Sequence, residues 1–162
     1  MESDRPAGVG VSVSDLTVTL EASGAPIIRG VSLTLAPGEV MGVVGESGSG
    51  KSTLALALLG FARPGGVISS GRVCIDGADL LSMKDGKLRA ARGRLVSYVP
   101  QDPATALNPS LSLLTQLTEG LPGRSGEAIT VVRDLLAAVG LPNDPAFLKR
   151  RPRELSGGQQ QR

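Results

Sequence analysis

Histidine does not occur anywhere in the 162 residues, and Phe61, Tyr98 and Phe147 are the only aromatic rings. Without histidine the chain has neither the commonest general base near neutral pH nor a common metal ligand. Three rings provide no platform for stacked bases. The 17 basic residues are spread among 15 acidic ones instead of forming a stripe, so the composition gives no case for binding nucleic acid. Cys74 stands alone, which excludes an internal disulfide and any cysteine-cluster metal site, and fits a small buried hydrophobe. No apolar run approaches the ~20 residues of a membrane-spanning helix. The start, MESDRPAG, lacks the basic and then apolar pattern of a secretion signal, so the expected location is the cytosol, with membrane contact made through a partner.

What is present is organised around VMGVVGESGSGKSTLALALL, Val40 to Leu59. Within it Gly45, Glu46, Ser47, Gly48, Ser49, Gly50, Lys51 and Ser52 fit G-x-x-x-x-G-K-[ST], followed by Thr53. The β-branched run Val40 to Val44 reads as a buried strand leading in, and Thr53 to Leu59 as a helix leading out. Glycines let the backbone turn successive N–H groups around an anion, and the N-terminus of the following helix favours phosphate. Lys51 adds a mobile charge for the outer phosphates, and the Ser52 hydroxyl is placed to ligand Mg²⁺. An ordinary glycine-rich turn with a solvated lysine would not need strand, loop, Lys-Ser pair and helix to agree.

Along the chain, Val9 to Leu20 alternates as a half-buried strand does, and Ile27 to Leu35 resumes the alternation after Gly24 and Pro26. Residues 36–39 (Ala-Pro-Gly-Glu) read as a tight turn, so a small antiparallel layer precedes the nucleotide core. Gly71 to Ile75 reads as a strand with a turn at Asp76-Gly77, Leu80 to Arg92 as a weak helix, and Leu95 to Val99 as a short strand stopped by Pro100-Gln101-Asp102-Pro103. From Ser110 the composition turns helical. Ser125 caps a helix whose Ile129, Val132, Leu136 and Val139 share a face, Gly140 ends it, and Asp144-Pro145 opens a short helix reaching Arg150.

The last residues, Leu155-Ser156-Gly157-Gly158-Gln159-Gln160-Gln161-Arg162, resemble the LSGGQ signature of ABC-type ATPases, and Gln101 after an apolar run resembles that family's Gln loop. Residues 101–109, Gln-Asp-Pro-Ala-Thr-Ala-Leu-Asn-Pro, are similar to the Q-D-P-x-x-x-L-N-P run of oligopeptide, dipeptide and nickel importer ATPases. The resemblance implies an α/β P-loop NTPase fold of ABC type. Residues 9–39 would form the antiparallel layer, 40–104 the P-loop core and Gln loop, 105–154 a helical subdomain and 155–162 the signature. It implies ATP and Mg²⁺ as ligands, with Gly45 to Thr53 on the triphosphate, Ser52 and Gln101 on the metal, and Gln101 also near the attacking water. Leu155, Ser156, Gly157, Gly158 and Gln159 would close over ATP held by a second ATPase subunit, in a homo- or heterodimer. Further partners implied are membrane permease subunits and, indirectly, a substrate-binding protein, with the chain peripheral on the cytoplasmic side of the membrane.

Three departures stand out. The family stacks an aromatic ring on adenine near the end of the first strand, whereas residues 10–30 contain none and Leu20 is the apolar substitute. Arg153 stands where the peptide importers often carry histidine. The family's apolar strand ending in Asp-Glu, and a later histidine, do not occur after the signature, so the chain is expected to be the front portion of an ATPase domain, incomplete for hydrolysis by itself. Two functional readings follow: the nucleotide-binding part of a peptide-importer ATPase, or a non-catalytic nucleotide-binding module that regulates through dimerisation. An unrelated P-loop kinase or GTPase would need neither the signature nor the Gln-Asp-Pro loop.

Overall fold

Strand β1 (Val11–Leu20) buries Val13, then Leu16 and Val18, so its inward face switches from odd to even positions. A strand alternates with period two, so the switch requires one extra residue. Asp15 is that residue. Its φ is +48°, and the pairing of β1 with both neighbours shifts register beside it. Across from the bulge, Gly71 (φ +105°) brings its backbone so close that a Cβ would lie 2.4 Å from Leu16 Cα, which explains the glycine.

The computed structural model describes residues 10–102, 105–119, 121 and 125–162, and the chain divides into two compact units, residues 1–98 and 99–162. In the first unit β1 is flanked by β2 (Pro26–Leu35) and β3 (Gly66–Ile75), and β4 (Ala78–Asp79) completes an antiparallel sheet of order β2-β1-β3-β4. The expected antiparallel layer is therefore present, with β3 as its third strand. The Asp76-Gly77 turn joins β3 to β4 with φ values of +50° and +76°, the left-handed pair that a two-residue hairpin needs. Helix α1 (Lys51–Ala57) lays Leu54 and Ala57, three residues apart, on the core formed by Val13, Leu16, Val18, Ile28, Val73 and Ile75. Leu80, in a 3-10 turn (Leu80–Ser82), and Ala91, at the end of α2 (Asp85–Ala91), close the same core. The weak helix read over residues 80–92 is thus two pieces.

Two expected strands do not form. Residues 40–44 lie outside the sheet, with Val40 and Val44 each 93% exposed. Residues 95–99 also carry no strand, contributing to the paired structure only the single bridge Arg92–Val96. A strand exists by its ladder, and among the described residues neither segment has a neighbouring strand to pair with. An apolar run encodes the wish for burial but not its partner.

The second unit is helical: α3 (Leu113–Thr118), α4 (Ser125–Ala138), α5 (Pro145–Leu148), a 3-10 turn (Pro152–Glu154) and α6 (Gly157–Gln161). Its core is Leu113, Val132, Leu136, Phe147 and Leu148. On α4 the buried positions are Ala128, Val132 and Leu136, each four apart, while Val139, just past the helix, lines an apolar cavity with Val132 and Leu136 but stays exposed. Gly140 (φ +68°) takes the left-handed conformation that closes a helix. It ends the helix so that the Leu141 N–H returns to the Leu136 carbonyl at 2.8 Å and the Gly140 N–H to that of Ala137 at 3.0 Å, and Leu141, not Val139, packs on the core.

Asp144 opens α5 by accepting from the N–H groups of Ala146 (2.9 Å) and Phe147 (3.0 Å). The Phe147 bond contributes most to holding its carboxyl below the usual range, so the cap is intact above that range and is lost as pH falls through the lowered value. Ser112 caps α3 in the same way, its Oγ accepting from Thr115 N–H at 3.2 Å. Ser112→Ala is expected to lower the stability of this unit by about 1 kcal/mol, read as a lower midpoint in urea unfolding with an unchanged slope.

Candidate functional site

The loop from Gly45 to Gly50 is seated directly on β2. A Cβ at Gly50 (φ +89°) would stand 2.6 Å from Ile28 Cγ2 and 3.2 Å from the Ile27 carbonyl oxygen, so any larger residue would lift the loop off the sheet. At Gly45 a Cβ would meet Ser49 Oγ at 2.8 Å. Gly48 (φ +84°) supplies the second left-handed turn. Close approach and positive φ together explain the glycines at these positions.

Gly50 also starts α1 with no side-chain cap, which leaves the N–H groups of the first helical turn to be satisfied from outside. Lys51 lies half-buried over the loop. Its Nζ donates to the Gly45 carbonyl (2.8 Å), the Glu46 carbonyl (2.6 Å) and Ser49 Oγ (3.3 Å), which takes up all three ammonium donors. The charge is thereby held at the mouth of a ring of glycine backbone, beside the exposed Glu46, Ser47, Gly48 and Ser49. Ser52 is exposed and Thr53 half-buried, so the Ser52 hydroxyl is the accessible one. The far end of α1 is fixed by Arg92, whose Nε and Nη2 donate to the carbonyls of Leu59 (2.9 Å) and Gly60 (2.8 Å) while its guanidinium lies 5.9 Å from the Phe61 ring centre.

In the second unit, Gln101 is exposed in a bend. Thr105 N–H and Oγ1 both donate to the Asp102 carbonyl, at 3.3 and 2.7 Å, while residues 103 and 104 lie outside the described residues. At the C-terminal motif, Ser156 Oγ accepts from Gln159 N–H (3.3 Å) and Gln159 Oε1 accepts from Ser156 N–H (3.0 Å), a reciprocal box that starts α6. Gln160 Nε2 donates to the Pro152 carbonyl at 2.8 Å, tying the helix to the turn before it. Leu155 is half-buried on the core of this unit, whereas Gly157 and Gly158 are exposed and a Cβ on either would meet nothing within 4 Å. Ala106 and Leu107, beyond Gln101, share an apolar cavity of about 200 Å³ with Leu155 and Gln159.

The family model for "ABC transporter" matches residues 28–162, the loop and the C-terminal motif included. The chain belongs to the ABC transporter family. It is 36% identical to the dipeptide transport ATP-binding protein DppD of Bacillus subtilis over 94% of this chain and 48% of that protein. It is also 36% identical to the oligopeptide transport ATP-binding protein OppD of Salmonella typhimurium, over 99% of this chain and 50% of that protein. Among solved structures, CbiO1 of Clostridium perfringens, described as part of the ABC transporter complex cbiONQ, superposes with a TM-score of 0.69 at 26% identity, covering 93% of this chain and 57% of that one. The chain thus spans about half the length of the curated relatives it matches.

Placed in the ABC family, the residues divide by unit: Gly45 to Thr53 form one continuous loop and helix start in the first, and Gln101 and the signature stand in the second. Ser52 and Gln101, the two expected on a metal ion, therefore belong to different units. Among the described residues no three of His, Cys, Asp and Glu gather into a metal site. Two positioning side chains escaped the reading of the sequence. Arg92 carries a weak signal, as a basic residue after a helix; Gln116 of α3 carries none.

Proposed function

We propose that this chain is the ATP-binding part of an ABC importer of oligopeptides or dipeptides, peripheral on the cytoplasmic face of a membrane and acting with permease subunits, a second ATPase subunit and a substrate-binding protein. The observation that carries the reading is Lys51 held over a glycine loop that is itself pressed on β2, at the uncapped start of α1. Loop and helix start would take the α- and β-phosphates, and Lys51 would exchange its carbonyl partners for β- and γ-phosphate oxygens. Mg²⁺ would neutralise phosphate charge, held by Ser52 and Gln101. The printed names of the relatives support peptide transport. Among the described residues no helix is long and apolar enough to cross a membrane, in keeping with a peripheral subunit.

Gly157 and Gly158 support a site completed in trans. Both lie exposed in the first turn of α6, where a Cβ would meet nothing within 4 Å, so the backbone there is open to close approach by another molecule. Hydrolysis belongs to the complete assembly in this reading. The experiment is a thermal unfolding series of the 162-residue chain in increasing Mg-ATP. Binding to the native state at a hundred times Kd adds about 2.7 kcal/mol, so the midpoint should climb with the logarithm of nucleotide concentration. A midpoint indifferent to Mg-ATP would end the proposal.

A further inference from the structure

Between Gln101 and α3 the chain makes a turn at residues 108–111, where the Leu111 N–H donates to the Asn108 carbonyl at 3.3 Å and the Gln116 side chain grips both residues. Gln116 Oε1 accepts from the Asn108 N–H at 2.7 Å, and Gln116 Nε2 donates to the carbonyls of Asn108 (3.0 Å) and Leu111 (3.1 Å). Asn108 completes the turn by accepting the Ser110 N–H on its own Oδ1 at 3.0 Å. Only one orientation of the Gln116 amide satisfies an N–H and two carbonyls together, so the group is fixed in both position and sense.

Residues 105–108 are thus held at both ends: at Thr105, which donates to the Asp102 carbonyl, and at Asn108, which Gln116 grips. Between these ends, Ala106 and Leu107 reach the cavity that Leu155 and Gln159 of the signature also line. A segment held at both ends over a shared apolar floor moves as a piece, whereas one held at a single end does not.

From this we infer that Gln116 is a positioning residue: it sets the register of the Gln101 loop against the signature turn, and so the coupling of the loop to turnover. The inference rests on the nucleotide-binding reading above. The side-chain bonds of Gln116 go to Asn108 and Leu111, away from the residues read as holding phosphate, so its removal is expected to act on how the loop is held and not on phosphate affinity.

The test compares Gln116→Met, which keeps length and volume but removes every hydrogen bond, with Ser112→Ala, which weakens the same helix and leaves the grip intact. In the 162-residue chain, Gln116→Met is expected to speed amide exchange at Asn108 about tenfold or more while exchange in α4 stays parental. In the assembly with permease, kcat is expected to fall about tenfold with the KM for ATP unchanged, as when an interaction that orients the reacting groups is lost. Ser112→Ala should lower stability without either effect. Gln116→Glu keeps the acceptor for Asn108 N–H but loses both donors, and is expected to fall between parent and Gln116→Met. Parental exchange at Asn108, parental kcat in Gln116→Met, or the same kcat loss in Ser112→Ala would each overturn the inference. Failure of the parent to bind Mg-ATP would instead overturn the proposed function, and the exchange comparison would still decide whether Gln116 holds the turn.

Discussion

Lys51→Ala is expected to weaken Mg-ATP binding by about 10- to 150-fold, the ~1.5–3 kcal/mol of a hydrogen bond to a charged group. The ammonium is the single full positive charge within the loop, and the backbone donors around it carry only partial charges. In the structure Nζ is bound to two carbonyls and a hydroxyl of the loop, groups that water can satisfy once the side chain is gone, because Gly45, Glu46 and Ser49 are exposed. The substitution should therefore cost binding far more than folding. Lys51→Met separates charge from bulk: it keeps the stem over the loop and loses only the ammonium, so it should match Lys51→Ala in affinity and the parent in thermal midpoint without nucleotide. Isothermal titration on folded protein decides the matter. Equal affinities in parent and both variants would mean that the loop binds no phosphate.

The features legible in the sequence are those whose cause is local. The β1 and β2 alternation, the Asp76-Gly77 hairpin and the caps at Asp144 and Gly140 each depend on residues a few positions apart, and each stands where the sequence puts it. Failures occur where the cause is distant. Residues 40–44 and 95–99 are as apolar as any buried strand, but a strand also needs a neighbour, which no run of valines specifies. Val139 keeps the helical period of α4, lining a cavity with Val132 and Leu136, but stays exposed, since a period specifies a face and not what covers it. The same holds at the site. The glycine-lysine loop is visible as a string because its geometry is built from consecutive backbone, whereas Arg92 acts on carbonyls 32 and 33 residues earlier and Gln116 on a turn that no periodicity marks.

Gly157→Asp is expected to leave the monomer folded and able to bind Mg-ATP while abolishing ATP-induced dimerisation and the hydrolysis that depends on it. The two halves of this expectation rest on different observations. Folding is spared because a Cβ at position 157 meets nothing within 4 Å, because the box between Ser156 and Gln159 does not involve the Gly157 side, and because a carboxylate in the first turn of a helix is favourably placed against its dipole. Stability of the variant should equal or slightly exceed that of the parent. Dimerisation is lost because the same carboxylate would stand where a partner's γ-phosphate approaches: two like charges at 4 Å repel by about 4 kcal/mol at an effective dielectric of 20, enough to remove about a thousandfold in association. Gly157→Ala is the control, since it adds bulk and helix propensity without charge and should show the smaller loss. Light scattering with and without ATP reads the association, and steady-state turnover of the assembly with permease and partner ATPase reads the chemistry. A Gly157→Asp variant that still dimerised with ATP and turned it over at the parental rate would reduce Ser156-Gly157-Gly158 to the start of a short helix, and the site completed by two subunits would have to be sought elsewhere on the surface.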